Sequence, residues 1–273
     1  MKRNVLRGAV VLVAVLPALF AQPKPKSQDE LEALKAMFGA ATADARIAAA
    51  ENVLTKFKDT EFKGVALYFE AASYDQKHDY DNTVVFGERT LEADPKNFQA
   101  MLLLAGTIAQ HTKEFDLDRE EKLAKVNKYA KNALELIKDA PKPNANLTDE
   151  QWAEAKKDFA AQAHASMGAG DLVAKKYAEA ESEFKTAIEG TDKPDAATIV
   201  RLGKAYSEEG KYDLAIAQFD KVMATPDVNI QIRQVAQAER VRAIGKKNPA
   251  GTAAPVAPAA TAPAAPSTPP QKP

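Results

Sequence analysis

The sequence predicts an all-α chain whose antiparallel helix pairs stack into a solenoid, followed by a disordered C-terminal tail. Three observations carry this expectation. KYAEAESEFKTAI at residues 176–188 is written again as KYDLAIAQFDKVM at 211–223, with Lys, Tyr, Ala and Phe in the same slots at an offset of 35. A fixed period of about 20–50 residues marks stacked-repeat architectures. From residue 27 to 246, apolar positions recur at helical spacing and no strand pattern of period two competes with them. From Asn248 on, NPAGTAAPVAPAATAPAAPSTPPQKP holds half of the chain's 16 prolines. Proline removes backbone donors and alanine offers little apolar surface, so residues 248–273 cannot repay the entropy of ordering and are expected to be extended and polyproline-like.

The opening residues are of another kind. Lys2, Arg3 and Arg7 precede an apolar run from Gly8 to Ala21 that is broken by Pro17. This is the layout of a secretory signal peptide over residues 1–21, with cleavage after Ala21 and export to the periplasm or beyond. The run of 14 residues falls short of the roughly 20 that span a bilayer, so no integral membrane span is expected after cleavage. Lys2-Arg3 is not a twin arginine, which favours the general secretory route. Absence of cysteine removes disulfides, thiolate metal sites and a lipid-modified cysteine. The 273 residues are 45% hydrophobic, and 37 basic side chains balance 38 acidic ones. That balance provides no general field for nucleic acid, which is not expected as a partner.

Residues 22–63 read as a helical cap. Ser27 to Phe38 and Thr42 to Lys58 place Leu31, Leu34 and Phe38, then Ile47, Leu54 and Phe57, at helical spacing. Repeat units follow at about 64–97, 98–140, 148–194 and 195–227. The first carries Leu67, Ala71, Tyr74 and Tyr80, and closes on ADPKN. In the second, Met101, Leu104, Ala105 and Ile108 form one helical face and Val126, Ala130 and Ala133 another, with a charged connection from Thr112 to Glu121 between them. A proline-containing linker leads to Thr148-x-x-Gln151, a capping box that should start a long helix. The third unit then offers Gly168, Ala180, Phe184 and Ala187. The fourth is the most regular. Asp195 caps a helix with Ile199, Leu202, Gly203 and Tyr206 on one face, Gly210 breaks the chain, and Ala215, Phe219 and Val222 line the second helix. Gly203 and Ala215 are small where the helices should cross, and Phe219 is expected to reach sideways for the next repeat. Residues 228–247 supply a solvating last helix, which an open array needs.

Ile199-x-x-Leu202-Gly203-x-x-Tyr206, Ala215-x-x-x-Phe219 and Pro226 resemble a tetratricopeptide repeat. The resemblance covers residues 64–227 and, more loosely, 27–246. It departs from the family at Ile199, at Thr83 and Gly87 (usually Ala and Phe), at His164 and Asp171 (usually aromatic), and in the Thr112–Glu121 insertion. It implies a right-handed α-solenoid and a non-catalytic scaffold binding a protein or peptide partner on a concave face lined by the first helix of each pair. Projected from the small-residue slots, the candidate contact residues are Tyr68, Gln76, Leu102, Gln110, Arg201, Lys204 and Glu208. Tyr68 and Ala72 stand where some family members place a carboxylate-clamping lysine and asparagine, so that activity does not carry over. The alternative is a structural or assembly component of the cell envelope, tethered through the tail.

Catalytic patterns are missing. There is neither a cysteine nor a G-x-S-x-G elbow, and His78, His111 and His164 form no paired ligand motif. A calcium loop counted from Asp116 would need glycine at its sixth place and glutamate at its twelfth, where Glu121 and Asn127 stand. MGAGD, at 167–171, lacks the third glycine and the preceding strand of a phosphate cradle. No catalytic residue, metal or cofactor is therefore expected.

Overall fold

The computed structural model describes residues 23–144 and 146–249, over which the chain forms eleven α-helices and no strand. The expected signal segment, 1–21, and the tail from residue 250 lie outside the described residues. The helices fall into pairs: α1 (Gln28–Gly39) with α2 (Ala43–Lys56), α3 (Lys63–Gln76) with α4 (Tyr80–Ala93), α5 (Phe98–His111) with α6 (Arg119–Asp139), α7 (Asp149–Val173) with α8 (Tyr177–Glu189), and α9 (Ala196–Glu208) with α10 (Tyr212–Ala224). A last helix, α11 (Ile230–Lys247), packs on α9 and α10. Among the described residues no helix is long and apolar enough to cross a membrane.

Local chemistry sets the helix ends. Side chains of Ser27, Thr42, Asp79, Asn97, Asp195 and Asn229 each accept a backbone N–H of the helix they open, a contribution of about 0.5–2 kcal/mol apiece. Thr148 and Gln151 form both halves of the capping box, at 3.2 and 3.0 Å, and start the 25-residue α7. Three of the pairs share one tight turn. Asp79 N–H donates to Tyr74 O at 3.0 Å, Lys176 N–H to Asp171 O at 2.9 Å and Lys211 N–H to Tyr206 O at 2.8 Å. The residue before each donor has left-handed backbone: His78 and Lys175 at φ 60°, Gly210 at φ 77°. Glycine adopts this conformation without the Cβ clash that costs other residues roughly 1–2 kcal/mol. Between α5 and α6 that turn is replaced by residues 112–118. Asp116 Oδ2 there accepts Lys113 N–H at 3.1 Å and Lys122 Nζ at 3.0 Å, while Asp118 pairs with Lys122 at 2.9 Å. The acidic residues considered for calcium thus hold their own loop.

Packing follows the small-residue slots. A Cβ on Gly203 would lie 2.6 Å from Phe219 Cε1, and one on Gly168 2.8 Å from Phe184 Cε1. Each ring is fully buried over the glycine of its own unit. Burying such a ring is worth about 1.5–3 kcal/mol. Where α4 has Gly87 in the phenylalanine slot, Leu104 of the next unit fills the space, 2.7 Å from the site of a Cβ. One slot departs in polarity. Glu70 stands where the other units have Leu104, Met167 and Leu202; it is 1% exposed, and its Oε2 has no hydrogen-bond partner. Burial first, and then the Glu51 charge, push its carboxyl up to about 7 against the opposing pull of Arg89.

The first helices of successive units touch: α3 meets α5, α5 meets α7, α7 meets α9 and α9 meets α11. The second helices pack on their own partner and on the next unit's first helix. The helices α3, α5, α7 and α9 therefore form one layer in mutual contact, and the second helices form the other.

Candidate partner-binding surface

Only one stripe of α9 escapes its neighbours. Lys204 and Glu208 are exposed and Ala197 and Arg201 half-buried, while Thr198 to Val200, Leu202, Gly203 and Ala205 to Ser207 are buried. The spacing of 197, 201, 204 and 208 is that of a single helical face. Arg201 and Lys204, three apart, share it. Burial holds the Arg201 guanidinium below the usual arginine range, with Asp195 opposing. Neither Arg201 nor Lys204 hydrogen-bonds or ion-pairs through its side chain with another described residue. Glu208 is engaged, accepting Lys246 Nζ of α11 at 3.0 Å.

On α5 the equivalent stripe is Gln99, Leu103, Gly106 and Gln110. Leu102, the expected contact, is not on it. It is 6% exposed and shares an apolar cluster with Trp152, Ala163 and Met167, because the middle of α7 lies along that flank of α5. Val200, its counterpart on α9, is buried in the same way at 7%. The correction is one residue of register, about 100° around the helix. On α3, Gln76 is exposed and Tyr68 half-buried. Desolvation and then the Asp75 charge push the Tyr68 hydroxyl up to about 12, so it remains a hydrogen-bond donor. Gln76 Oε1 accepts Arg46 Nη1 at 3.2 Å.

Gln76 and Gln110 come together in a cleft of about 310 Å³ between the ends of α3 and α5 and the start of α4. Asp75, His78, Tyr80, Thr83, Thr107 and His111 complete its lining. Thr107 Oγ1 donates to Asp75 Oδ1 at 3.0 Å. His111 Nδ1 lies 2.9 Å from Thr107 O, and its ring leans on Tyr80 with centroids 4.6 Å apart. These six residues were not anticipated, since three helix ends from two units must converge before they meet. Tyr68, Arg201 and Lys204 do not line this cleft. Among the described residues, no group of three or more His, Cys, Asp or Glu is placed to hold a metal ion.

With this architecture in place the class of protein is defined: a helical-repeat solenoid. No protein-family model matches the chain. Its fold is similar to the crystal structure of a thermophilic TPR protein from Thermus thermophilus, with a TM-score of 0.52 and 16% identity over 78% of this chain and 99% of the other. Over 98 residues, 33% of this chain, it is 33% identical to human nuclear autoantigenic sperm protein. The chain covers 12% of that relative's length. The fold is that of the tetratricopeptide-repeat proteins.

Proposed function

We propose that this chain is a non-catalytic scaffold whose concave face binds an extended segment of a protein partner, with an acidic group of that segment seated on Arg201 and Lys204. The observation that supports it most is a half-buried guanidinium with no hydrogen bond or ion pair among the described residues, beside an exposed ammonium, on the one unpacked stripe of α9. A carboxylate would gain two bonds from the planar arginine fork and a point charge from lysine. For a peptide identified by co-purification, Arg201→Ala with Lys204→Ala is expected to weaken affinity by about 1–3 kcal/mol, the scale of hydrogen bonds to charged groups. Raising salt should weaken the wild type more than the double variant. Titration calorimetry at two ionic strengths measures both effects, and unchanged binding by a folded double variant rejects this site.

We also propose that the scaffold acts outside the cytoplasm, on the basis of the basic-then-apolar order of residues 1–21. Native protein is expected to begin at or near Gln22, as intact-mass analysis would reveal. Retention of Met1 together with pelleting of the protein with membranes would contradict export in cleaved form.

A further inference from the structure

We propose that the cleft at the ends of α3 and α5 is a receptor for an organic cation: a lysine or arginine side chain, or a free amine of similar size. Its charge balance is negative and local. Among the described residues, Asp75 is the only acidic one that lines it, and neither Lys nor Arg does. Thr107 satisfies Oδ1 of Asp75, while no donor among the described residues reaches Oδ2 and no cation pairs with the carboxylate. The basic groups nearby have other partners. Arg46 reaches the rim of the cleft, bonding Gln76 there as well as Ser73 and the Ala40 carbonyl, but makes no hydrogen bond or ion pair with Asp75. Lys77 pairs with Asp44 at 2.5 Å, Lys122 is shared by Asp116 and Asp118, and Lys125 pairs with Glu88.

The backbone adds to this balance. Helices α3 and α5 both end at the cleft, and helix C-termini carry partial negative charge. The opposing positive end of α4 is already met by its cap, Asp79, whose carboxylate accepts Asn82 N–H at 3.2 Å and Asn82 Nδ2 at 2.8 Å. The Tyr80–His111 pair gives the cleft an aromatic wall, a favourable surface for a cation. With His111 Nδ1 donating to the Thr107 carbonyl in the neutral ring, Nε2 is left as an acceptor. An anion would meet Asp75 without a counter-charge. A metal ion would lack a third side-chain ligand. An alkyl cation meets a carboxylate, an aromatic face and side-chain amides together.

The test uses the full chain and defined probes: Nα-acetyl-lysine methylamide, its arginine counterpart, putrescine, and neutral Nα-acetyl-norleucine methylamide. In amide NMR titrations the cations are expected to move the signals of Thr107, Tyr80 and His111, and norleucine is not. Asp75→Asn, which preserves the Thr107 bond, should weaken the cations about tenfold or more, as loss of a charge-assisted contact implies. Gln110→Lys should also block them, by placing a tethered ammonium at the exposed mouth. Binding by putrescine without the capped amino acids would assign the cleft to free amines, and the reverse to a partner's side chain. Equal shifts with norleucine, or undiminished cation binding by either variant, would overturn the proposal. Arg201→Ala with Lys204→Ala should leave these titrations unchanged, so this inference and the α9 surface stand or fall separately.

Discussion

Phe219→Ala is expected to cost about 3–5 kcal/mol of unfolding free energy, the scale for emptying a buried aromatic site. Gly203→Leu should cost at least the roughly 1–3 kcal/mol typical of overpacking. The two effects have one geometric origin. The ring lies over a backbone that has no side chain there, so close that a single added methyl carbon would stand 2.6 Å from Cε1. The ring is fully buried among α9, α10 and α11, which leaves it little room to yield. Denaturant melts compared with the exposed Lys221→Ala, which should stay within about 0.5 kcal/mol, provide the scale. The double variant is the sharper measurement. A leucine at 203 projects into the volume that the ring vacates, so Gly203→Leu with Phe219→Ala should cost clearly less than the sum of the singles. Additive costs, or a Gly203→Leu as mild as Lys221→Ala, would show that the close approach is not what holds this pair.

Glu70→Leu should act in the opposite direction and stabilise the protein at neutral pH. Replacing a buried carboxyl whose Oε2 has no hydrogen-bond partner by an apolar side chain of similar volume removes a desolvation cost of about 1–3 kcal/mol. The pH dependence identifies the cause. The Glu70 carboxyl is pushed from 4.5 up to about 7 in the folded chain, so the folded state holds this proton more tightly than the unfolded state does. The stabilisation linked to protonation is complete below about 4.5 and is lost as the pH rises through about 7. The advantage of Glu70→Leu over wild type should therefore widen between pH 5 and pH 8, across the window set by that shift. A gap that is constant with pH, or a leucine variant less stable than wild type at pH 8, would mean that Glu70 is ionised and well accommodated.

How much of this could be read from the residues alone depended on the range of the interactions. The fourth unit was legible because its helix breaker, its cap and its small-residue slots each act within a turn or two of chain: Gly210, Asp195 and Gly203 need only local geometry. The length of α7 was legible for the same reason, through Thr148 and Gln151. Leu102 was not. Whether it or Leu103 faces the open side is decided by where α7 crosses α5, and the middle of α7, far along the chain, settles that. The cleft was hidden more deeply, since Asp75, Tyr80 and His111 acquire a common environment only when two units stack. Glu70 was readable in principle. Aligning that slot across the units sets one glutamate against leucine, methionine and leucine, a contradiction in polarity that needs no coordinates to notice.

The filling of the glycine sockets divides the array mechanically. In the last two units the knob and its socket belong to the same helix pair, Phe184 over Gly168 and Phe219 over Gly203, so each pair carries its own clasp. Between the first and second units the knob is borrowed: Leu104 fills the hollow at Gly87 across the boundary. Nearest-neighbour coupling governs stacked repeats, and a borrowed knob moves stabilisation from the unit to the junction. Leu104 thereby ties the first and second units at their boundary, and the same residue belongs to the apolar core that runs on through the third and fourth units to α11. The cleft at the ends of α3 and α5 straddles that borrowed junction, whereas the Arg201–Lys204 stripe lies on a pair whose knob and socket are its own, so a change at Gly87 or Leu104 should reach the cleft before it reaches the stripe.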